Sequence, residues 1–254
     1  MNDSRRIWLT GASSGIGAEL AELLLRDGHR LALSARRSGP LETLQQRFPE
    51  QVLLVPGDLT DAAQVTAMGE RIARHWGALD CAILNAGTCE YLEAGRFDAD
   101  LVERVVAANL LAPARCIEAA LPLLRKGERP HLVGVVSAVT HFALPRAEAY
   151  GASKAGLRYL LESLRVDLAH EGLDVTLVSP GFVDTPLTQR NDFPMPMRWS
   201  TQRAAHHIVR RLQRRPLEIA FPGPFILALR LLARLPARMR LALGRRLARN
   251  GAPQ

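Results

Sequence analysis

Short apolar runs alternate along the chain with longer stretches in which apolar residues recur every three or four positions. The short runs predict strands at 6–10, 30–35, 51–55, 81–84, 131–137, 174–179 and 218–221. Most are continuously apolar, as in Val-Leu-Leu-Val at 52–55, which is typical of strands buried on both faces. The longer stretches predict helices at about 16–27, 41–47, 61–76, 98–124, 150–170 and 202–214.

This alternation predicts an α/β fold in which one parallel, doubly wound sheet of about seven strands is covered by helices on both faces. We expect residues 1–221 to form this domain and residues 222–254 to form a separate helical tail. Residues 185–199 contain three prolines and no helical pattern. They predict a loop that acts as a lid over a site.

Composition sets few limits on function. The chain has 254 residues, of which 48% are hydrophobic and 23% charged, so a disordered or collagen-like chain is excluded. Cys81, Cys89 and Cys116 lack the spacing of a disulfide framework or a zinc site, and we predict no metal. The N-terminus lacks the apolar stretch of a signal peptide, and we expect no membrane-spanning helix. These features predict a cytoplasmic protein.

The positive charge is concentrated at one end. The formal net charge is +8, yet twelve arginines lie between Arg203 and Arg249, where Glu218 is the single acidic residue. The rest of the chain is slightly acidic. A basic groove through the domain is therefore not expected, and without a recognition motif we predict no nucleic-acid partner.

The basic tail predicts two short helices, at 225–235 and 237–249, separated at Pro236. Arg230, Arg234 and Arg238 recur every four residues, and leucines occupy much of the remainder. This pattern is typical of a helix that lies in a membrane interface, here the anionic inner face of a membrane. Packing of the apolar face onto the body or onto a second subunit are the alternatives.

A glycine-rich turn follows the first strand and opens the first helix. Glycines in such a turn let a pyrophosphate approach the backbone, and the helix N-terminus offers free N–H groups. The candidate dinucleotide-binding residues are Gly11, Ser13, Ser14, Gly15, Ile16 and Gly17. The alternative is an ordinary tight turn between a strand and a helix.

Two arginines follow the second strand, where NAD-specific sites carry an acidic residue. Arg36 and Arg37 stand there instead. Because guanidinium groups pair with a 2′-phosphate that a carboxylate repels, the sequence favours NADP(H) over NAD(H). The alternative is that one or both are solvated surface charges.

Tyr150 and Lys154 lie four residues apart and so share one face of the predicted helix 150–170. A neighbouring ammonium lowers the pKa of a phenol, which then exchanges protons near neutral pH. Ser137 ends a parallel strand, where a ligand crevice is expected. Asn109 lies within a long apolar helix and acts either in packing or in holding a water molecule.

Together these motifs resemble the short-chain dehydrogenase/reductase family. The sequences Thr-Gly-Ala-Ser-Ser-Gly-Ile-Gly at 10–17 and Asn-Ala-Gly at 85–87, then Asn109, Ser137, the Tyr150–Lys154 pair and Pro180-Gly181, occur in that family's order and spacing. The resemblance covers about residues 5–221. It implies a Rossmann fold and hydride transfer between a nicotinamide cofactor and a carbonyl or alcohol group.

The resemblance also implies a role for each residue. The catalytic residues are Asn109, Ser137, Tyr150 and Lys154. Tyr150 exchanges a proton with the substrate oxygen, and Ser137 stabilises that oxygen. Lys154 lowers the pKa of Tyr150 and binds the nicotinamide ribose, and Asn109 holds a water. The further cofactor-binding residues implied are Asp58, Leu59, Asn85, Ala86, Gly87, Pro180, Gly181, Val183 and Thr185. The family also implies a homo-oligomer.

The candidate substrate-binding residues other than Ser137 are apolar, which favours a small hydrophobic carbonyl or alcohol. They are Val139, Phe142, Leu144, Phe182, Met195 and Met197, with Trp199 beside them. The alternative is that several of them only pack the lid down. A different class of function, a non-catalytic NADP(H) sensor acting through the basic tail, is disfavoured because a sensor needs neither Tyr150 nor Lys154.

Overall fold

The structure is a computed structural model and describes residues 4–93, 96–191 and 193–249. Its sheet contains the seven predicted strands, all parallel, in the order β3-β2-β1-β4-β5-β6-β7. The predicted fold class is confirmed. The strands are β1 Arg6–Thr10, β2 Arg30–Ser34, β3 Val52–Leu54, β4 Cys81–Leu84, β5 His131–Val135, β6 Asp174–Pro180 and β7 Glu218–Phe221.

The helices follow the predicted pattern, with ends that differ by a few residues. Asp61 caps one of them by accepting hydrogen bonds from the backbone N–H groups of Ala63 and Gln64. The helices are α1 Gly15–Arg26, α2 Gly39–Arg47, α3 Ala62–Trp76, α4 Ala99–Val106, α5 Ala112–Leu124, α6 Glu148–Leu168, α7 Thr201–Leu212, α8 Gly223–Ala233 and α9 Ala237–Arg249.

Successive residues of each strand pack into two different cores. In β1, Ile7 and Leu9 face α1, α2 and α7, whereas Trp8 faces α3, α5 and α6. Both faces of the sheet are therefore covered, which explains why the strands are continuously apolar.

Helices α4 and α5 are joined by a π-helical turn at Ala107–Leu111. Together they form a segment, Ala99–Leu124, that by length and apolar composition alone could cross a membrane, a length that no apolar run was expected to reach. Its position explains its composition. Cys116, Ile117 and Ala120 are buried in the core on one face of the sheet, as expected of a core helix.

The two ends of the predicted lid are held together. Val183 and Trp199 form an isolated bridge, the Trp199 N–H donates to the Phe182 carbonyl at 3.0 Å, and the Asp184 N–H donates to the Trp199 carbonyl at 2.8 Å. Between them the described residues form one short 3-10 turn, at Thr188–Arg190. That this segment covers a site stays a prediction.

The inner face of α8 packs on the domain. Ile226 and Leu229 form a small core with Ala138 and Phe142, and Leu243 of α9 packs against its edge. Arg230 donates to Glu218 at 2.6 Å, and Glu218 also binds Arg158 of α6 at 2.7 Å. For the inner face of α8, this packing agrees with the alternative that the tail packs onto the body.

Candidate active site

The carboxyl ends of β1, β4, β5 and β6 bring the candidate residues to one edge of the sheet. The glycine-rich turn follows β1, Asn85 follows β4, Ser137 lies two residues beyond β5, and Pro180 ends β6. Between β1 and β4 the strand order reverses, and this is where doubly wound sheets bind ligands.

The glycine-rich turn is tightly packed against the loop after β4. A Cβ atom on Gly17 would collide with the carbonyl oxygen of Gly11 and lie 2.5 Å from the Asn85 amide nitrogen, so only glycine fits. The Asn85 amide donates to the carbonyls of Thr10 and Gly11, each at 3.2 Å. Asn85 therefore holds the turn in shape.

The N-terminus of α1 lies open for an anion. Ser14 is its cap residue in extended conformation, and within the described residues its side chain makes no capping hydrogen bond. The first backbone N–H groups of α1 and the positive end of its dipole are the groups that hold phosphates in such turns. The turn fits a dinucleotide pyrophosphate.

Beyond β2 and β3 lie the residues predicted at the adenosine end. Arg36 and Arg37 are exposed, and Leu59 is buried. Asp58 accepts hydrogen bonds from the backbone and hydroxyl of Thr60, which lower its pKa, and the positive charge of Arg36 lowers it further. The structure thus brings Arg36 within electrostatic range of Asp58, at the same edge as the glycine-rich turn.

Tyr150 and Lys154 lie on α6 and face the segment that follows β5. The Ser137 hydroxyl lies close enough to the Tyr150 hydroxyl to act on its pKa, which it lowers. The Lys154 ammonium is 4% exposed and donates to the Val135 carbonyl at 2.8 Å. Ser137 also caps the turn Ala138–His141, because its hydroxyl accepts from the Val139 N–H at 3.3 Å. Three of the four predicted catalytic residues are therefore gathered at one place.

Burial dominates the electrostatics of this pair. It lowers the pKa of Lys154 to about 8, because an ammonium loses its hydration there. We predicted that Lys154 would lower the pKa of Tyr150. Instead that pKa is raised, first by burial and then by Cys89, while the nearby Ser137 hydroxyl acts in the opposite direction.

Asn109, the fourth predicted residue, lies in the π-helical turn and is fully buried. Its side chain accepts from the Thr88 N–H at 2.8 Å and donates to the Thr88 carbonyl at 2.9 Å and to Ser153 at 3.0 Å. It therefore joins the loop after β4 to α6. A Cβ atom on Gly87 would lie 2.9 Å from the Asn109 oxygen and 3.2 Å from the Lys154 nitrogen, so glycine allows this loop to approach both.

The segment predicted at the nicotinamide lies opposite the glycine-rich turn. The Gly181 N–H donates to the Phe221 carbonyl at 2.7 Å, and Val183 is buried. A Cβ atom on Gly15 would lie 3.2 Å from the Thr185 methyl group, so Thr185 borders the turn directly. Ala86, which follows Asn85, donates its N–H to the Thr10 hydroxyl at 3.1 Å.

The predicted substrate-binding residues fall into two groups. Phe142 is buried under α8 and Leu144 packs beside it, so the structure shows them in packing. Trp199 stacks on Phe221 at the base of the lid, with ring centroids 4.8 Å apart, and likewise acts in packing. The other group is less buried: Val139, Phe182 and Met195 are partly exposed and Met197 is exposed.

Two site residues were missed by sequence reasoning, Cys89 and Tyr91. Cys89 lies close enough to Tyr150 and Lys154 to affect the pKa of each, and burial raises the pKa of its own thiol to about 11. Tyr91 is hydrogen-bonded to Asn191 of the lid and meets Phe193 edge to face at 5.3 Å. Their position directly after Asn-Ala-Gly at 85–87 is the one signal that would have found them.

Away from this site, the described chain has no metal site but does have a second groove. Residues 4–93, 96–191 and 193–249 contain no group of three His, Cys, Asp or Glu side chains placed to bind a metal. A groove of about 680 Å³ lies between α1 and α7 and is lined by Arg203, His206 and Arg210, among others. It contains none of the predicted catalytic residues.

Comparisons with known proteins agree with this arrangement. A family model described as short chain dehydrogenase matches residues 5–194. An uncharacterized oxidoreductase of Myxococcus xanthus is 35% identical over 246 residues, which cover 96% of this chain and 97% of that protein.

Two solved structures share the fold. A short chain dehydrogenase of Burkholderia cenocepacia in complex with NADP superimposes with a TM-score of 0.82 at 24% identity, covering 97% of this chain and 98% of its own. A Pseudomonas aeruginosa RhlG/NADP active-site complex gives a TM-score of 0.79 at 25% identity, covering 87% and 96%.

Proposed function

Because the chain belongs to the short-chain dehydrogenase/reductase family and is an oxidoreductase of that type, we propose that it interconverts carbonyl and alcohol groups of a small hydrophobic substrate with NADP(H). The observation that carries this proposal is the arrangement of Tyr150, Ser137 and Lys154. A phenol near a serine hydroxyl, with a buried ammonium four residues further along the same helix, is a set of groups suited to proton transfer.

The structure's residues fit a nicotinamide dinucleotide. The open N-terminus of α1 suits the pyrophosphate, and Lys154 and Thr185 border the space where the nicotinamide end is proposed to lie. When bound, the cofactor supplies or accepts the hydride.

We propose NADP(H) rather than NAD(H). Arg36 and Arg37 are exposed after β2, at the position where NAD-specific sites carry a carboxylate. The bound NADP in the two solved relatives supports the same choice.

Tyr150 is proposed to give a proton to the substrate oxygen during reduction and to take it during oxidation. Its raised pKa keeps the phenol protonated in this structure, which is the state needed to donate. Ser137 is proposed to donate a hydrogen bond to the same oxygen as negative charge develops there.

Lys154 and Asn109 are proposed to support this transfer. With a pKa of about 8, the Lys154 amine changes charge near the working pH and exchanges protons readily. Asn109 keeps one oxygen lone pair beyond its bond with Thr88, and we propose that it holds a water next to Lys154.

The substrate is proposed to be apolar because of the side chains around the Tyr150 edge. Val139, Phe182 and Met195 are partly exposed there, and Phe182 continues through Phe193 to Tyr91 as a series of edge-to-face contacts. The lid 185–199 is proposed to cover the substrate and exclude water.

The alternative is a non-catalytic NADP(H) sensor, and one experiment separates the two. The purified protein is titrated with NADPH by fluorescence and then assayed for NADPH oxidation with a panel of aldehydes, ketones and quinones. We expect tight NADPH binding and turnover of at least one apolar carbonyl. Tight binding without turnover of any substrate would support the sensor.

We further propose a cytoplasmic homo-oligomer. Leu111 in the π-helical turn and Tyr159 and Val166 on α6 are large apolar residues that remain exposed, two of them at about three quarters. A second copy packing on this side would cover them. Sedimentation velocity on the wild type and on Tyr159→Glu tests this, and a wild type that sediments as a monomer would contradict it.

A further inference from the structure

The C-terminal helices α8 and α9 present two different faces. The inner face of α8 packs on the domain, where Ile226 and Leu229 are buried against Phe142. What remains is the outer side of α8 together with most of α9, and we refer to these surfaces as the outer face.

On α8 the outer face is apolar where solvent is expected. Leu227 is 59% exposed and Leu231 is 52% exposed. Together with the exposed Arg234 they occupy positions i, i+4 and i+7, and therefore lie on one side of the helix. Two exposed leucines followed by an arginine make a continuous amphipathic strip.

Helix α9 continues this character. Leu241 is 56% exposed and shares its side of the helix with Arg238 and Arg245, three residues before it and four after it. Met239 is 53% exposed and lies one turn from Leu243, which packs on the body. The exposed arginines of the outer face are Arg234, Arg238, Arg240, Arg245 and Arg246. None of these five forms an ion pair with another described residue, in contrast to Arg230, which is bound to Glu218.

We propose that the outer face of α8 and α9 docks on an anionic lipid surface. Exposed leucine and methionine side chains insert among the acyl chains near the headgroups, while the arginines remain at the level of the lipid phosphates. Each arginine held near such a surface adds to the attraction. An anionic bilayer supplies an apolar layer for the exposed leucines and negative charge for the arginines. The outer face finds neither partner within the described chain.

A second copy of the same chain is a poorer occupant. A two-fold interface through this face would bring the same arginines of both copies together, and the segment 222–254 contains no acidic residue to neutralise them. A nucleic acid would satisfy the arginines and leave the exposed leucines in contact with water.

Vesicle co-sedimentation of the full chain tests the proposal. The vesicles are phosphatidylcholine alone or phosphatidylcholine with phosphatidylglycerol, at low and high salt. We expect binding to the anionic vesicles that weakens as salt increases, and little binding to the neutral ones.

Two sets of variants locate the contact. Replacing Arg234, Arg238 and Arg240 by Gln is expected to lower the partition coefficient on the order of 100-fold. Replacing Arg210, Arg211 and Arg214, at and just beyond the end of α7, by Gln removes the same charge elsewhere and is expected to lower the partition coefficient by less than about 10-fold. The double variant Leu227→Ser, Leu231→Ser is expected to weaken binding while leaving NADPH binding and thermal unfolding unchanged.

The proposal would be overturned by wild-type protein that stays in the supernatant with anionic vesicles, by equal losses for the two arginine triples, or by full binding of the leucine variant. If the leucine variant instead dissociates an oligomer in sedimentation velocity, the outer face is a subunit interface and the lipid proposal fails. None of these readouts depends on turnover, so the test is independent of the proposed enzymatic function.

Discussion

Lys154 in the candidate active site and the arginines of the C-terminal helices are cations in opposite surroundings. Lys154 is buried, bound to the Val135 carbonyl, and has a pKa lowered to about 8. Arg234, Arg238 and Arg240 are exposed, and none of them forms an ion pair with another described residue. The net charge of +8 therefore reports mainly on the surface, whereas the proposed chemistry involves one buried amine that adds little to that charge.

Among the substitutions that test this contrast, Lys154→Met should have a large effect on kcat. Without the amine, we expect kcat to fall on the order of 100-fold, because the buried group that we propose exchanges protons during the transfer is lost. The matched control is Lys126→Met, which removes the other lysine of the chain from an exposed position and should leave kcat unchanged. Equal activity of the two variants would show that the buried amine has no catalytic role.

The difference in stability between the wild type and Lys154→Met should depend on pH in a defined direction. Because burial lowers the pKa of Lys154 from 10.5 to about 8, the unfolded chain binds more protons than the folded one between these values. Wild-type stability should therefore rise with pH through that window, by up to about 3 kcal/mol relative to Lys154→Met. Thermal unfolding of both proteins from pH 7 to 10 measures this, and parallel curves would refute the shifted pKa.

Arg36→Asp should have an intermediate effect, confined to cofactor choice. We expect the Kd for NADPH to increase between about 10- and 100-fold, because a charged hydrogen bond to the 2′-phosphate is lost and a like charge is introduced. The Kd for NADH should change little. Arg37→Asp, measured in the same way, shows which arginine binds the 2′-phosphate. An equal loss of affinity for NADPH and NADH would remove the argument for NADP(H).

Arg230→Gln should have the smallest effect. It breaks the ion pair between α8 and Glu218 of β7, and this pair is partly exposed to solvent. Arg230 is about half exposed, so we expect the free energy of unfolding to fall by less than about 1 kcal/mol. Urea unfolding compares it with Arg234→Gln, whose arginine has no ion pair with a described residue. A loss above about 2 kcal/mol would show that α8 and the domain depend on each other more than the exposed pair implies.

The fold was predictable because its signals are repeated along the chain. Val-Leu-Leu-Val at 52–55 and similar runs mark strands buried on two faces, and Asp61 and Gly77 mark the ends of α3. The apolar segment Ala99–Leu124 was harder to interpret, since composition alone does not distinguish a core helix from a spanning one.

The site was predictable where a motif has fixed spacing and unpredictable where the contact is distant in the sequence. Tyr150 and Lys154 share a helical face by their spacing alone. Phe142, by contrast, is buried by Ile226 and Leu229, more than eighty residues away along the chain. Cys89 and Tyr91 lie in a loop without periodicity, so no pattern identified them. The raised pKa of Tyr150 depends on burial, which becomes visible once the side chains are placed.

Tyr150→Phe is the decisive test of the proposal that Tyr150 transfers the proton. The variant keeps the aromatic ring and loses the hydroxyl that lies near Ser137. Measured beside Tyr159→Phe, which changes an exposed tyrosine of the same helix, we expect kcat for NADPH oxidation to fall at least about 100-fold while the Kd for NADPH stays within about 2-fold of wild type. Turnover at the wild-type rate by Tyr150→Phe would contradict the account.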